Sequence, residues 1–181
     1  MDGFIPRRID MEKTIATKRL LLRQMGLSDQ DAFLQGTADR ELRRLYGLPD
    51  VMPEAQRERF FRRLCDMPGA YCIYETASGH LTGFVLDVPP ELPEDMLSTL
   101  PGQGRTLTFA SFRPYQRRGY MREALTSVIN RHSQTKDAAF IHCGHYPFNE
   151  PSRNLLLSLG FQEYGQHTVG QSIIIDKIRF L

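Results

Sequence analysis

Between Phe112 and Leu125 a β-rich run breaks at Arg113 and Pro114, passes through Tyr115, Gln116, Arg117, Arg118 and Gly119, and opens a helix. A loop that delivers the chain into a helix N-terminus presents backbone N–H groups without intrahelical partners, backed by the positive end of the helix dipole. Such a place attracts phosphate and other anions. Arg113, Arg117, Arg118 and Arg122 add full charges. Further along, Asn149 heads another predicted helix with Ser152 three positions on, and Gly160 with Phe161 closes it. Taken alone, the Asn is a helix cap and the Gly a helix stop.

Other residues invite chemistry and fit it less well. His142, Cys143 and His145 are three potential metal ligands in four positions, but on a strand 142 and 143 point to opposite faces and no partner cluster appears elsewhere, so no metal is expected. Arg57, Arg59, Arg62 and Arg63 read as the solvated face of a helix without the interleaved aromatics of a nucleic-acid surface. Cys65, Cys72 and Cys143 form an odd set without redox spacing, as in a reducing compartment.

The elements that must position these residues follow from the patterning. Residues 1–15 read as a loosely tied arm and 17–25 as a first strand. Ser28, Asp29 and Asp31 start a helical stretch, broken near Gly36, that runs to Tyr46; Pro53 and Glu54 start another, with Phe60, Phe61 and Leu64 as its apolar stripe. Residues 71–76 and 81–88 form a hairpin around Ala77, Ser78 and Gly79. An irregular stretch from Pro89 to Gln103 carries Glu91, Glu94 and Asp95, with one helical turn after Pro93. A central strand (105–112), a central helix (117 to about 132), a strand (138–143), a helix (150–159) and a strand pair (161–168 and 171–180) complete the chain. This mixture indicates an α+β (mixed α/β) fold, a mostly antiparallel sheet with helices on both faces.

At 181 residues, 41% of them hydrophobic, the chain is expected to fold as one domain, 1–181, without disulfide or metal staples. A net charge of +2 implies no field for general nucleic-acid or membrane binding, so any basic patch is local. No run approaches the ~20 apolar residues of a membrane span and the start is not a signal peptide, which makes a cytoplasmic location the expectation. Arg outnumbers Lys, which suits planar contacts to phosphate, or equally reflects genomic composition.

Gln116, Arg117, Arg118, Gly119, Tyr120 and Met121, followed by Glu123, Ala124 and Leu125, resemble the loop of the GNAT superfamily of N-acetyltransferases: Gln or Arg, two variable positions, Gly, one variable position, then Gly or Ala. Asn149, Ser152, Gly160 and Phe161 keep that family's spacing. The run from Thr17 to Arg23 also looks like the first strand of the branch containing ribosomal-protein N-terminal acetyltransferases, and the resemblance covers about residues 17–165. Two departures stand out. Arg117 occupies a position where close relatives often have Gly, and Met121 one where they have a small residue, so the approach to pyrophosphate is more crowded. Arg117 offers in exchange a charge-assisted hydrogen bond of roughly 1.5–3 kcal/mol.

The resemblance implies an acetyl-CoA site formed by Phe112, Arg113, Gln116, Arg117, Arg118, Gly119, Tyr120, Met121, Asn149 and Ser152. It implies a V-shaped splay between the strand ending near Phe112 and the strand at 138–143, into which the pantetheine arm inserts, and direct attack by a primary amine in a ternary complex. Many relatives protonate the leaving thiolate with a Tyr four positions after the Ser152 site, where this chain has Leu156. In the ribosomal branch the Ser takes that role, which makes Ser152 the candidate acid; the plain alternative is a hydroxyl bonded to a helix carbonyl. For the base, Asp87 at a central strand end and Glu91 just beyond it are the best-placed carboxylates, unless both are solvated loop acids. Freeing a lysine amine (pKa ~10.4) of its proton at pH 7 costs about 4.6 kcal/mol and an α-amine (~7.8) about 1, so an α-amine needs only a weak base. The expected partner is an amine-bearing small molecule or a protein N-terminus, with a homodimer left open. A non-catalytic acyl-CoA-binding domain is the alternative function, and a polypeptide-binding module without cofactor a third.

Overall fold

The structure, a computed structural model, describes residues 14–181, and the arm expected over 1–13 lies outside them. Strands β1 (Thr14–Ala16) and β2 (Leu20–Gln24) form an antiparallel hairpin. Thr17 makes its turn, donating its N–H to the Leu20 carbonyl (2.9 Å) and accepting the Leu20 N–H on its hydroxyl (3.0 Å). Two expectations are corrected by this turn. Thr14 and Ile15 belong to a strand and not to an arm, and the first strand begins at Leu20 because residues 17–19 are spent reversing the chain.

Three helices follow, α1 (Gln30–Gly36), α2 (Arg40–Tyr46) and α3 (Glu54–Cys65), with the break near Gly36 that the sequence indicates. Then come β3 (Ala70–Glu75), β4 (Leu81–Val88), a short α4 (Glu94–Leu97), β5 (Gly104–Ser111), α5 (Tyr120–Thr135), β6 (Phe140–His145), α6 (Glu150–Ser158), β7 (Gln162–Val169) and β8 (Ser172–Phe180). The strands form one sheet in the order β1-β2-β3-β4-β5-β6-β8-β7. Every neighbouring pair is antiparallel except β5 with β6, and α5 supplies the crossover that a parallel pair needs.

Alternation along the strands divides the core in two. Val85, Leu107, Ile141 and Cys143 face Ala124, Leu125, Val128 and Ile129 of α5 and Leu156 of α6. Phe84, Leu86, Ala110 and the neighbouring Phe112 face Phe33, Leu42, Phe61 and Leu64 from α1 to α3. Covered on both faces, β4 is buried at all of its positions.

The parallel pairing is short. Strands β5 and β6 share only Gly104↔Phe140, Arg105↔Ile141 and Thr106↔His142. Beyond that, β5 stays paired to β4 as far as Ser111 and β6 stays paired to β8 as far as His145, so the two central strands separate. Backbone groups along the separated edges have no strand opposite and need another partner.

At the closed end, Asp87 of β4 accepts hydrogen bonds from Arg105 Nε (2.7 Å) and His132 Nε2 (2.9 Å), while His132 Nδ1 donates to Asp137 (2.7 Å). Burial disfavours the His132 cation, but its bonds to Asp87 and Asp137 outweigh that and raise its pKa. Burial likewise pushes Asp87 up, and His132 with Arg105 more than reverses it, leaving Asp87 below its usual value. The His132 contribution to stability is therefore complete below pH ~6.5 and lost as pH rises through its raised folded value. That of Asp87 is complete above pH ~3.9 and lost as pH falls through its lowered one. Melting temperature should accordingly decline from pH 6 to pH 9. His132→Gln should be less stable at pH 6, by about 3 kcal/mol for a broken buried pair, and its melting temperature should decline less steeply with pH. An unaltered slope in the variant would remove the bridge from this account.

Candidate active site

Past β5 the chain is anchored by Phe112, whose N–H donates to the Thr82 carbonyl (2.9 Å) and whose ring packs against Phe33 and Phe84. A single 3₁₀ turn, Arg113–Tyr115, follows. The helix α5 then begins at Tyr120 and not at the expected 117, because Arg117 (φ 60°) and Gly119 (φ 77°) both adopt left-handed backbone. Gly119 does so without a Cβ penalty, whereas for Arg117 the conformation costs roughly 1–2 kcal/mol.

A network from the turn between β1 and β2 holds this loop in place. Arg19 donates through Nε to Glu123 Oε2 (2.7 Å) and through its backbone N–H to Oε1 (2.8 Å), and Thr17 adds its hydroxyl to Oε1 (2.6 Å). Arg19 Nη1 also reaches the Arg118 carbonyl (3.1 Å). Burial raises the Glu123 pKa, but the bonds from Thr17 and Arg19 outweigh it, so the carboxyl stays below its ordinary value and ionised. A negative charge in the first turn of α5 also suits the helix dipole.

Loop, open strand edge and a second helix start enclose a cleft of about 370 Å³. Gln116, Arg117, Gly119, Tyr120, Met121, Asn149 and Ser152 of the expected cofactor set line it. Phe112, Arg113 and Arg118 do not: Phe112 is buried in the core, Arg113 pairs with Asp39 (3.2 Å), and Arg118 lies over the Tyr115 ring. The strand wall comes instead from Phe109, Ala110 and Ser111, and Arg122 and Tyr115 join from the loop side. Leu42, Leu45 and Tyr46 of α2 form the wall that sequence reasoning missed. No local signal marks them, since only the fold brings α2 to the loop.

Asn149 has two tasks. Its Oδ1 accepts the Ser152 N–H (3.1 Å), capping α6, and its Nδ2 donates to the Leu45 carbonyl (3.2 Å), clamping α6 to α2. The Ser152 hydroxyl makes no hydrogen bond among the described residues, whereas Ser158 and Thr126 turn theirs back onto helix carbonyls (2.7 and 2.8 Å). Leu156, one turn on from Ser152, is fully buried in the core shared with α5, where a tyrosine hydroxyl would find no water.

The two candidate bases part company. Asp87 lines a different and larger hollow, about 960 Å³, at the start of β5, where its carboxylate is engaged by Arg105 and His132. That hollow has more volume but no helix N-terminus, and the cleft at the end of β5 is the better anion site. Glu91 is exposed, donates its N–H to Thr106 Oγ1 (2.8 Å), and lies close enough to the cleft wall that, after burial, its charge helps raise the Tyr46 pKa. Among the described residues no three His, Cys, Asp or Glu assemble to hold a metal, and Cys143 and His142 face opposite sides of β6.

Residues 19–162 match the family model described as acetyltransferase (GNAT) domain. No curated protein matches the chain. Among solved structures it is similar to a GNAT-family acetyltransferase from Bacillus anthracis, with 16% identity, 92% of this chain and 98% of that one covered, and a TM-score of 0.76. It is also similar to RimL, a ribosomal α-N-protein acetyltransferase, at 14% identity, 99% and 100% coverage and TM-score 0.75. A ribosomal-protein-alanine acetyltransferase from Vibrio fischeri follows at 16% identity, 92% and 96% coverage and TM-score 0.70. At such identities the likeness is one of fold.

The strained Arg117 yields a test. In Arg117→Gly the left-handed cost disappears while the unfolded chain gains freedom, so the unliganded melting temperature should stay level or rise by a few degrees. Losing a charge-assisted contact of about 1.5 kcal/mol should weaken coenzyme A binding roughly tenfold by calorimetry. Unchanged affinity would leave Arg117 outside the phosphate site.

Proposed function

The chain belongs to the GNAT acetyltransferase family, and on that premise we propose that it passes the acetyl group of acetyl-CoA to a primary amine by direct attack within a ternary complex. The observation that carries this reading is the opening of β5 away from β6 immediately behind the Gly119 loop. Phosphates meet the α5 N-terminus with Arg117 and Arg122, and the edge of β5 at Phe109–Ser111 receives the extended arm as a strand would. Backbone N–H groups on that edge are fixed donors for a developing oxyanion and need no reorganisation. The amine lone pair attacks the thioester carbonyl carbon, the C–S bond breaks from the tetrahedral intermediate, and the Ser152 hydroxyl, free at the α6 N-terminus, donates to the thiolate.

For the acceptor we favour a protein N-terminus. RimL and the Vibrio fischeri enzyme are named for action on ribosomal proteins, and an α-amine demands the weaker base. Glu91, Glu94 and Asp95 are exposed on the stretch between β4 and β5 and present negative charge to a cation. Glu91, beside the Tyr46 wall, is the acid that meets the ammonium group.

Thiol release from acetyl-CoA with peptides bearing free N-termini tests the reading, since a pure binder melts higher with coenzyme A yet releases no thiol. At ~100 times its dissociation constant coenzyme A should add about 2.7 kcal/mol of stability. Gly119→Glu, placing a charged side chain on left-handed backbone in the cradle, should abolish that gain; a full gain in the variant would move the phosphates elsewhere. Ser152→Ala should lower kcat by ~10²–10⁴ with coenzyme A affinity unchanged. Wild-type turnover would return Ser152 to a purely structural role.

A further inference from the structure

Where β5 and β6 separate, a line of buried polar groups crosses the sheet on the face of α1 to α3. Thr106 and His142, the last pair the two strands share, are joined from Thr106 Oγ1 to His142 Nδ1 (2.9 Å). His142 Nε2 meets Asp176 Oδ1 (2.9 Å), and the other oxygen of Asp176 meets His167 Nδ1 (2.8 Å). Thr106, His142 and Asp176 are at most 3% exposed. A buried histidine–carboxylate pair is weak evidence for stability, since apolar residues of like volume often serve a fold as well.

The protons can be assigned. Asp176 is acceptor-only when ionised, so His142 Nε2 and His167 Nδ1 both donate to it. Thr106 Oγ1 already accepts the Glu91 N–H, which leaves its own proton for His142 Nδ1. The result is a hydroxyl, an imidazole with one free lone pair and a carboxylate in series. The charged and titratable groups around the imidazole are Asp176 from β8, His167 from β7 through that carboxylate, and Glu91 from the segment after β4.

The line runs beside an exposed position of β6. Strand β6 is buried at every position except Gly144, which is exposed. A Cβ built on Gly144 would stand 3.9 Å from His142 Cε1 and 4.0 Å from Asp176 Oδ1, and would collide with Ile174. Ile174 fills the place of the missing side chain, and it is the Gly144 backbone that is open beside the imidazole. On the same face of β5, Thr108 is only half-buried.

Resting on the acetyltransferase reading above, we propose that Thr106, His142 and Asp176 form the proton relay that deprotonates the acceptor amine. The ammonium proton passes to Thr106 Oγ1 as the Thr106 hydroxyl proton passes to His142 Nδ1. The amine nitrogen keeps its electron pair for the thioester carbon, no group is oxidised or reduced, and the imidazolium is neutralised by Asp176 until solvent takes its proton. Thr106 is the group that touches the amine, and His142 and Asp176 act through it. This supplies the base that Asp87, held by Arg105 and His132, does not offer to the cleft.

The test is thiol release with primary amines whose pKa values run from ~6 to ~10, using wild type, Thr106→Val, Thr106→Ser and His142→Gln, with melting curves and coenzyme A affinity alongside. Relay variants should lose about 10²-fold in kcat/KM with the most basic amines and less than about threefold with amines already neutral at the assay pH. Thr106→Ser, which restores the hydroxyl, should recover most of the loss, and coenzyme A affinity should not change. Thr106→Val keeps shape and volume, so it carries the test if His142→Gln does not fold. An equal loss across the amine series, or a Thr106→Ser variant as slow as Thr106→Val, overturns the relay and leaves the acetyltransferase reading intact. A wild type that binds coenzyme A but acetylates no amine overturns both.

Discussion

The separation of β5 from β6 after three shared pairs is the constraint on which the rest of the molecule depends. A parallel ladder that stops early would ordinarily unravel, because exposed edge groups compete for water and for other strands. Here each strand is held from its far side. Strand β4 pairs with β5 to Ser111 and β8 with β6 to His145, while a separate apolar core packs against each face. The gap persists because neither strand needs the other beyond Thr106 and His142. It costs a few unpaired backbone groups, each at about 1–3 kcal/mol if dry, and a ligand that behaves as a strand recovers that cost on binding.

The same economy governs the loop beyond β5. Left-handed backbone at Arg117 and Gly119 opposes early helix formation, so α5 starts late and its first residues border the cleft. Something must hold the chain in that shape, and the Arg19–Glu123–Thr17 network does so from a turn that lies 104 to 106 residues before Glu123. Local strain at a binding loop persists where surrounding structure over-determines it. Asn149 plays the corresponding part across the cleft by fixing α6 to α2.

Features written in short-range signals were legible in the sequence. The Gln116–Met121 loop, the Asn149 cap, the break at Gly36 and the opposite facing of His142 and Cys143 all follow from turn chemistry or from the period of two. The hairpin at Thr14–Gln24 was not, because its turn is made by a threonine and two charged residues in place of Gly or Asn. Phe112 read as a cofactor contact because it ends the central strand. Its ring fills the space beside Gly36, whose missing Cβ admits it, and this is a long-range packing fact. Asp87 looked free as a strand-end acid, and only the fold shows Arg105 and His132 closing on it.

The two buried histidine networks show how partners set the chemistry of one residue type. His132 has a carboxylate on each ring nitrogen, and against the effect of burial these bonds raise its pKa and favour the form in which both nitrogens donate. With both nitrogens engaged by Asp87 and Asp137, its part is to tie α5 to β4. His142, in the last pair that β5 and β6 share, has a carboxylate on one nitrogen and a hydroxyl on the other. A hydroxyl can donate or accept, so a change at Thr106 is felt through the ring at Asp176. Exchanging a second carboxylate for a threonine turns a clamp into a conduit.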